Sequence, residues 1–190
     1  MRVGVLAMQG AVREHLEAVG RLGAEAVPVR TPEELSACQA VILPGGESTT
    51  IGKLMARYGL LEPVREHALA GKPLLGTCAG MILMARRILS AAQDQPHLAV
   101  MDITVERNAF GRQIESFEAD LDFAGVDSGP VRAVFIRAPL IRSVGEGVEV
   151  LAMHDGRIVA ARQGKLVALS FHPELTEDLR VHRFFLSLAE

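Results

Sequence analysis

Tryptophan is absent from this chain of 190 residues, tyrosine occurs once and phenylalanine seven times. With aromatics at 4%, Val, Leu, Ile and Ala must fill the core. Cysteine is sparse as well: Cys38 and Cys78 are the only two. Two cysteines in a chain of this size do not make a disulfide framework, so a reduced, cytoplasmic setting is expected. CxxC and paired-His spacings are missing, so neither a metal nor another cofactor is expected. There is no excess of positive charge. Twenty Lys and Arg stand against 23 Asp and Glu, a net charge of −3. That argues against a nucleic-acid binder, which needs a basic patch. The longest run without a charge, Pro73–Ala85, has 13 residues, whereas a membrane span needs about 18. Met1 and Arg2 lead straight into an apolar run with no small-residue cleavage site behind it. A first strand is expected there, not a signal peptide.

Apolar sequence is plentiful: 49% of residues are hydrophobic and 23% charged, which excludes intrinsic disorder. The length fits one domain over residues 1–190, burying roughly 70% of its unfolded surface. In the first half, short apolar runs alternate with helical patterns. Strands are expected at Val3–Met8, Ala26–Val29, Ala40–Leu43 and Pro73–Leu75. Helices are expected at Val12–Leu22, from Ser48 or Thr49 as cap to Tyr58, at Leu61–Ala70, and from Ala79 to about Leu89. Continuous apolar strands alternating with helices predict a parallel sheet covered on both faces. The second half reads as strands at Ala99–Val105, Ser116–Leu121, Val131–Ile136, Val148–Ala152, Ile158–Ala161 and Lys165–Phe171. These predict antiparallel additions to the sheet, closed by a helix from Thr176 to about Leu188. In such sheets ligands sit beyond the carboxyl ends of the parallel strands.

Three of those ends carry chemistry. Gly76-Thr77-Cys78-Ala79-Gly80 has the glycine spacing of a nucleophile elbow, with cysteine where hydrolases carry serine. A sharp strand-to-helix turn exposes the thiol at its apex, and the positive end of the following helix favours an anion there. The Ala79 N–H is free to meet an oxyanion. The pattern alone equally fits a buried structural cysteine beside helix-packing glycines. Pro44-Gly45-Gly46-Glu47-Ser48 can turn backbone N–H groups toward a ligand, or be a plain turn. In Phe171-His172-Pro173-Glu174, proline halts the strand and holds His172 at the rim, with Glu174 close enough to fold back on the imidazole. This is base and orienter in one tripeptide, although a surface histidine beside an acid is common. Together the three ends favour a Cys-His-Glu triad working by acyl transfer. Cys38 reads as core filler. His15, His67, His97, His154 and His182 read as surface or structural, with His182 on the polar side of the last helix.

On these residues the chain resembles the triad-type (class I) glutamine amidotransferases. Within them it resembles the PdxT family, the glutaminase subunits of pyridoxal 5′-phosphate synthase. The likeness runs the full length. Gly4–Gly10, Leu43–Thr50, Gly76–Gly80, Val105–Gln113, Phe135–Pro139 and Ser170–Thr176 carry it. The elbow and His-Pro-Glu belong to the wider class. The Gln-Gly after the first strand, Glu-Ser-Thr-Thr, and Arg-Asn-x-Phe-Gly-Arg-Gln are the specific part.

The resemblance implies a three-layer α/β, flavodoxin-like class I glutamine amidotransferase fold, with a central, mostly parallel sheet and antiparallel additions. It implies hydrolysis of L-glutamine to glutamate and ammonia, the ammonia passing to a PdxS-type synthase subunit. That partner is a dodecameric double ring of (β/α)8 barrels that builds pyridoxal 5′-phosphate. The resemblance makes Cys78 the nucleophile, His172 the base and acid, and Glu174 its orienter. It assigns substrate binding to Gly45, Gly46, Glu47, Arg107, Ile136 and Arg137, with Gly46 and Ala79 N–H as oxyanion donors. A zwitterionic substrate needs a cation for its carboxylate and an acceptor for its ammonium, and Arg107 and Arg137 both qualify as the cation. Gln9 is expected to link partner docking to the Gly45-Gly46 loop. A glutaminase serving another synthase, a hydrolase of γ-glutamyl peptides, and a non-catalytic flavodoxin-like binding domain are the rival readings.

Overall fold

The computed structural model describes residues 1–89, 94–110 and 116–190. Gly111, Arg112 and Gln113 of the Arg-Asn-x-Phe-Gly-Arg-Gln block lie outside the described residues. The chain runs β1 (Arg2–Leu6), α1 (Val12–Arg21), β2 (Glu25–Val29), α2 (Pro32–Ser36), β3 (Ala40–Leu43), α3 (Ser48–Arg57), α4 (Leu61–Leu69), β4 (Leu74–Thr77) and α5 (Ala79–Met84). It continues through β5 (Ala85–Leu89), β6 (Met101–Glu106), β7 (Ser116–Leu121), β8 (Val131–Ile136), β9 (Leu140–Val144), β10 (Glu149–His154), β11 (Arg157–Gln163) and β12 (Leu166–Leu169). A 3₁₀ turn (Pro173–Leu175) and α6 (Arg180–Ser187) complete it.

The main sheet has the order β2-β1-β3-β4-β12-β11-β9-β6-β5, with β10 also paired to β11. Strands β2, β1, β3, β4 and β12 are mutually parallel, so their carboxyl ends share one edge. β11 and β9 are antiparallel to their neighbours. Because successive side chains point to opposite faces, β3 sends Val41 and Leu43 to one core and Ala40 and Ile42 to the other. The first core is roofed by α2, α3, α4 and α5, with Leu35, Ile51, Met55, Val64 and Leu83 in it. The second is covered by α1 and α6 through Val19, Val181 and Phe185, and by β8 through Val131, Ala133 and Phe135. This is a three-layer α/β architecture. Phe117 and Phe135 stack with ring centroids 4.6 Å apart, which concentrates much of the scarce aromatic content in one place.

Four expectations need correction. The helix expected from Ala79 to Leu89 ends at Met84, and 85–89 form an edge strand beside β6. All six residues of α5 are buried, a core position that Arg86 and Arg87 could not continue. The carbonyls of Leu83 and Met84 are taken by the N–H groups of Leu98 and Val100, so tertiary bonds replace the next helical turn. The last helix begins at Arg180 and not Thr176, because the Asp178 carboxylate captures the Arg180 N–H and guanidinium. Strands β7 and β8 form a separate two-stranded ribbon and do not extend the main sheet. Neither Ser48 nor Thr49 caps α3, whose N-cap is Glu47; the Ser48 hydroxyl instead accepts from Gln95.

Gly80 lets the elbow pack. A Cβ there would overlap the carbonyl oxygen of Leu43 at the end of β3, where only backbone could yield. Gly20, exposed near the end of α1, meets nothing. Gly80→Ala should therefore destabilise by roughly 1–3 kcal/mol through overpacking. Gly20→Ala should stabilise by about 0.5–1 kcal/mol through lower unfolded-state entropy. Urea unfolding midpoints check both. A Gly80→Ala midpoint at or above wild type would refute the packing role.

Candidate active site

The shared edge of β1, β3, β4 and β12 brings four sequence-distant loops into one cleft. Its volume is about 490 Å³. Cys78 lies at the end of β4, Gly45, Gly46 and Glu47 follow β3, Gly10 and Ala11 follow β1, and His172 follows β12. Arg107 and Asn108 beyond β6, and Ile136 and Arg137 beyond β8, form the rest of the rim with Ser48, Ile82 and Leu175.

Cys78 occupies a strained backbone conformation, φ 51° and ψ −103°, that β-carbon-bearing residues rarely adopt. Such strain costs on the order of 1–3 kcal/mol and persists only where surroundings enforce it. The Cys78 N–H donates to the Leu169 carbonyl at 2.8 Å, and the Ile82 N–H donates to the Cys78 carbonyl at 3.2 Å. Sheet and helix thus fix the peptide units on each side, and the sulfur faces the cleft, 4.0 Å from the Ile136 carbonyl oxygen. Ala79 opens α5 as its first helical residue, so its N–H has no intrahelical acceptor.

His172 is 7% exposed. Its N–H donates to the Val134 carbonyl at 2.8 Å, which ties the β12 end to the β7–β8 ribbon. Its Nδ1 lies 2.7 Å from Glu174 Oε1, and the Glu174 carboxylate is wholly buried. Gly45 packs flat against the ring; any Cβ there would overlap the imidazole. Burial alone favours the neutral ring. The hydrogen bonds to Cys78 and Glu174 and the charges of both outweigh it, raising His172 to about 10. The carboxyl of Glu174 is held below its usual range: burial opposes this, and His15 together with the hydrogen bond and charge of His172 prevails. The ring thus lies between the cleft and the Glu174 carboxylate, with its charged form favoured over that of a free histidine.

Arg107 reaches across the cleft wall. Its Nη2 lies 3.5 Å from Glu47 Oε1 and its Nη1 donates to Gln95 Oε1 at 3.3 Å. Arg137 is exposed at the rim, with φ 42°. Gln9 is not on the cleft wall. Its Oε1 accepts from the Glu47 N–H at 2.8 Å, and the Gly45 carbonyl accepts from the Ala11 N–H at 3.0 Å. The Gln9-Gly10-Ala11 segment thus grips the Gly45-Gly46-Glu47 loop at both ends. Gln95, buried between Ser48 and Arg107, had no sequence signal of its own.

Of the histidines read as surface or structural, two are structural, and one of them, His182, departs from its expected place. His15 and His182 are fully buried, and His182 is not on a polar face. His15 Nδ1 lies 2.9 Å from His182 Nε2, and His15 Nε2 lies 3.2 Å from Thr77 Oγ1. In α1, His15, Ala18 and Val19 are the buried residues, with Val12, Leu16 and Leu22 partly buried against the same core. Polar partners for both ring nitrogens make a core histidine tolerable there.

The sequence profile of the SNO glutamine amidotransferase family matches residues 5–190. A pyridoxal 5′-phosphate synthase subunit PdxT from Geobacillus kaustophilus (strain HTA426) is 57% identical over 190 residues, spanning 100% of this chain and 95% of that protein. The subunit of the same name from Pelotomaculum thermopropionicum is 59% identical, covering 98% of this chain and 94% of that protein. A crystal structure described as a glutamine amidotransferase superimposes with a TM-score of 0.93 at 56% identity, covering 98% of each chain. The structure of PurLQS from Thermotoga maritima, at 18% identity and a TM-score of 0.69, covers 100% of this chain and 99% of that one and shares the fold.

The buried neutral histidines set a pH dependence. Burial lowers His15, and it lowers His182 to about 3, with the charge of the other ring adding to the fall in His182. Between the unfolded value near 6.5 and these folded values, the unfolded state binds more protons, so stability falls with falling pH. His172, raised to about 10 in the folded state, adds a slope of opposite sign that fades within about one unit below 6.5 as the unfolded histidine also protonates. From pH 6.5 to 4.5 His182 contributes up to about 1.4 kcal/mol per pH unit, and His15 adds in the same direction. Denaturant titrations should show this slope, with His182→Gln shallower by roughly one histidine's share. An unchanged slope in that variant would contradict the assignment.

Proposed function

The chain belongs to the SNO glutamine amidotransferase family, and from that premise we propose that it is the ammonia-producing subunit of a pyridoxal 5′-phosphate synthase. It hydrolyses L-glutamine to L-glutamate and ammonia and passes the ammonia to a synthase subunit of the PdxS type, a dodecamer. Residues 1–190 act as one amidotransferase domain, without cofactor or metal, in a reducing cytoplasm that suits two free cysteines. The observation that carries this reading is the buried 2.7 Å contact between His172 Nδ1 and Glu174 Oε1 beside the strained Cys78 elbow.

In the proposed reaction the Cys78 sulfur attacks the side-chain amide carbon of glutamine. Charge developing on the amide oxygen is met by the Ala79 and Gly46 N–H groups. The His172 imidazolium gives its proton to the departing nitrogen, which leaves as ammonia, and a γ-glutamyl thioester remains on Cys78. Neutral His172 then takes a proton from water as that water attacks the thioester. The C–S bond breaks, glutamate departs, and the imidazolium is restored. Glu174 keeps Nδ1–H toward itself and Nε2 toward the reacting groups, and it stabilises the charged ring.

Substrate recognition follows from the Glu47–Arg107 pair. Half-exposed pairs of this kind are worth about 0–1 kcal/mol, so a zwitterion can displace the contact at little cost. Its ammonium faces Glu47 and its carboxylate faces Arg107. Arg107 is the better cation than Arg137, because Gln95 preorganises it while Arg137 is solvated at the rim. Gly45, Gly46, Ile136 and the Arg137 backbone complete the wall around the substrate. Docking of the synthase acts through Gln9: the segment that grips the Gly45 carbonyl and the Glu47 N–H is placed to re-aim the peptide between them. One preorganised donor is worth about 10²–10³ in kcat, enough for a switch.

Ammonia release from glutamine, measured with the synthase subunit present, tests the proposal. Cys78→Ala should lose at least about 10³-fold in kcat, while Cys38→Ala keeps most activity. Arg107→Ala should raise KM and lower kcat/KM about ten- to a hundredfold, the loss expected when a charged hydrogen-bonding partner is removed. Comparable turnover by Cys78→Ala would end the triad reading. Unaltered kcat/KM in Arg107→Ala would remove that residue from the site.

A further inference from the structure

The triad uses one oxygen of Glu174. The other, Oε2, is buried and has no hydrogen-bond partner among the described residues. A bare carboxylate oxygen in the interior is costly, so what faces it matters. His15 faces it: Nε2 lies 3.5 Å from Oε2 and 3.2 Å from Thr77 Oγ1, the hydroxyl of the residue before the nucleophile. His15 comes from α1 and touches Glu174 behind the triad. It is not part of the cleft wall.

The proton positions follow from the partners. An ionised carboxylate only accepts, so the arrangement without a clash of lone pairs puts the hydrogen on the nitrogen facing it, shared between Oε2 and the nearer Thr77 Oγ1. His15 Nε2 is then the donor, and in the neutral ring Nδ1 is an acceptor. His182 Nε2, 2.9 Å away, must in turn be the donor to it. That leaves His182 Nδ1 bare, and it is the other buried side-chain atom without a partner among the described residues. The reverse tautomers would aim a lone pair of His15 at the Glu174 carboxylate. They would also leave a buried N–H of His182 unpaired, which proteins tolerate less well than an unpaired acceptor. Burial disfavours a charge on either ring, in keeping with two neutral histidines donating in one direction.

We propose that His15 is a positioning residue for the triad: with its tautomer set by His182, it offers Nε2–H to the free oxygen of Glu174 and, through Thr77, holds carboxylate and elbow in one frame. The proposal rests on the triad reading above and extends it to α1 and α6, two helices outside the cleft chemistry. A carboxylate held at one oxygen only can rotate about its bond to the chain and carry the His172 ring with it. Held at both, it cannot. Since His15 touches no substrate, its loss should act on kcat and spare KM.

The test is glutamine hydrolysis by the complex with the synthase subunit, using His15→Leu, His15→Gln and His15→Asn. A glutamine side chain can place its amide N–H where Nε2–H stands. Asparagine is shorter and reaches only the Nδ1 position beside His182. His15→Leu and His15→Asn should lower kcat on the order of 10- to 100-fold with KM within about twofold, the scale seen when a supporting partner of a reacting group is lost. His15→Gln should recover most of it. Thermal melts of all three check folding, and if the leucine variant fails to fold, the Gln against Asn comparison decides. Wild-type-like kcat in a folded His15→Asn, or equal losses in Gln and Asn, would overturn the proposal. A wild-type complex that releases no ammonia overturns the glutaminase reading and this proposal together, whereas a turning-over wild type with a flat His15 series overturns the proposal alone.

Discussion

The buried carboxylate of Glu174 is the constraint around which the rest of this molecule is arranged. An ionised group withdrawn from water costs several kcal/mol unless its partners are in place. Its neighbours are local and distant: His172 two residues upstream, and His15 from the first helix. Behind His15 stands His182 of the last helix, and beside it Thr77 at the end of β4. The surroundings of one carboxylate therefore bring together α1 and the end of β12 and, through His15, β4 and α6. The site and the fold are coupled through those contacts.

Backbone contacts supply the second layer of organisation. The strained elbow at Cys78 is held because Gly80 allows α5 to close on the β3 end and because the β4 end bonds to β12. Gly45 leaves space for the His172 ring to lie against the loop after β3. These contacts place a thiol, an imidazolium and a loop rich in N–H groups on one edge of five parallel strands. The neighbours of the ring favour its charged form against the pull of burial, the balance that the proposed acyl transfer needs.

Much of this was legible in the sequence, for identifiable reasons. Apolar runs such as Ala40–Leu43 have one stable use, a strand buried on both faces, and glycine and proline mark their ends. The elbow, the Gly-Gly loop and His-Pro-Glu each encode local geometry, so Cys78, Gly45, Gly46 and His172 could be placed at strand ends from residue types alone. Long-range partnerships carry no such mark. His15 follows Glu14 on an amphipathic helix and looks like a surface histidine until α6 brings His182 to it. Ala85–Leu89 extends a helical pattern and becomes a strand only because residues 98 and 100 claim the carbonyls of α5. The short helix α2 was not expected, although Thr31-Pro32-Glu33-Glu34 is a capping box with proline at the first helical position and both reciprocal bonds are present. Strand β9 was not expected from the sequence; its pairing is long-range, with β6 along four residues and with β11 at Ile158 and Ile141.

The central claim is that Cys78 carries the glutamyl group while His172, oriented by Glu174, moves the proton. Rapid acid quench of the complex with glutamine, followed by mass analysis of Cys78 peptides, addresses it directly. The account predicts a γ-glutamyl adduct on Cys78 alone, labile to hydroxylamine as a thioester must be. It should appear together with ammonia and decay as glutamate accumulates. It should also accumulate more slowly in Glu174→Gln. Ammonia release at the full rate with Cys78 unmodified throughout, or an adduct on Cys38, would contradict it.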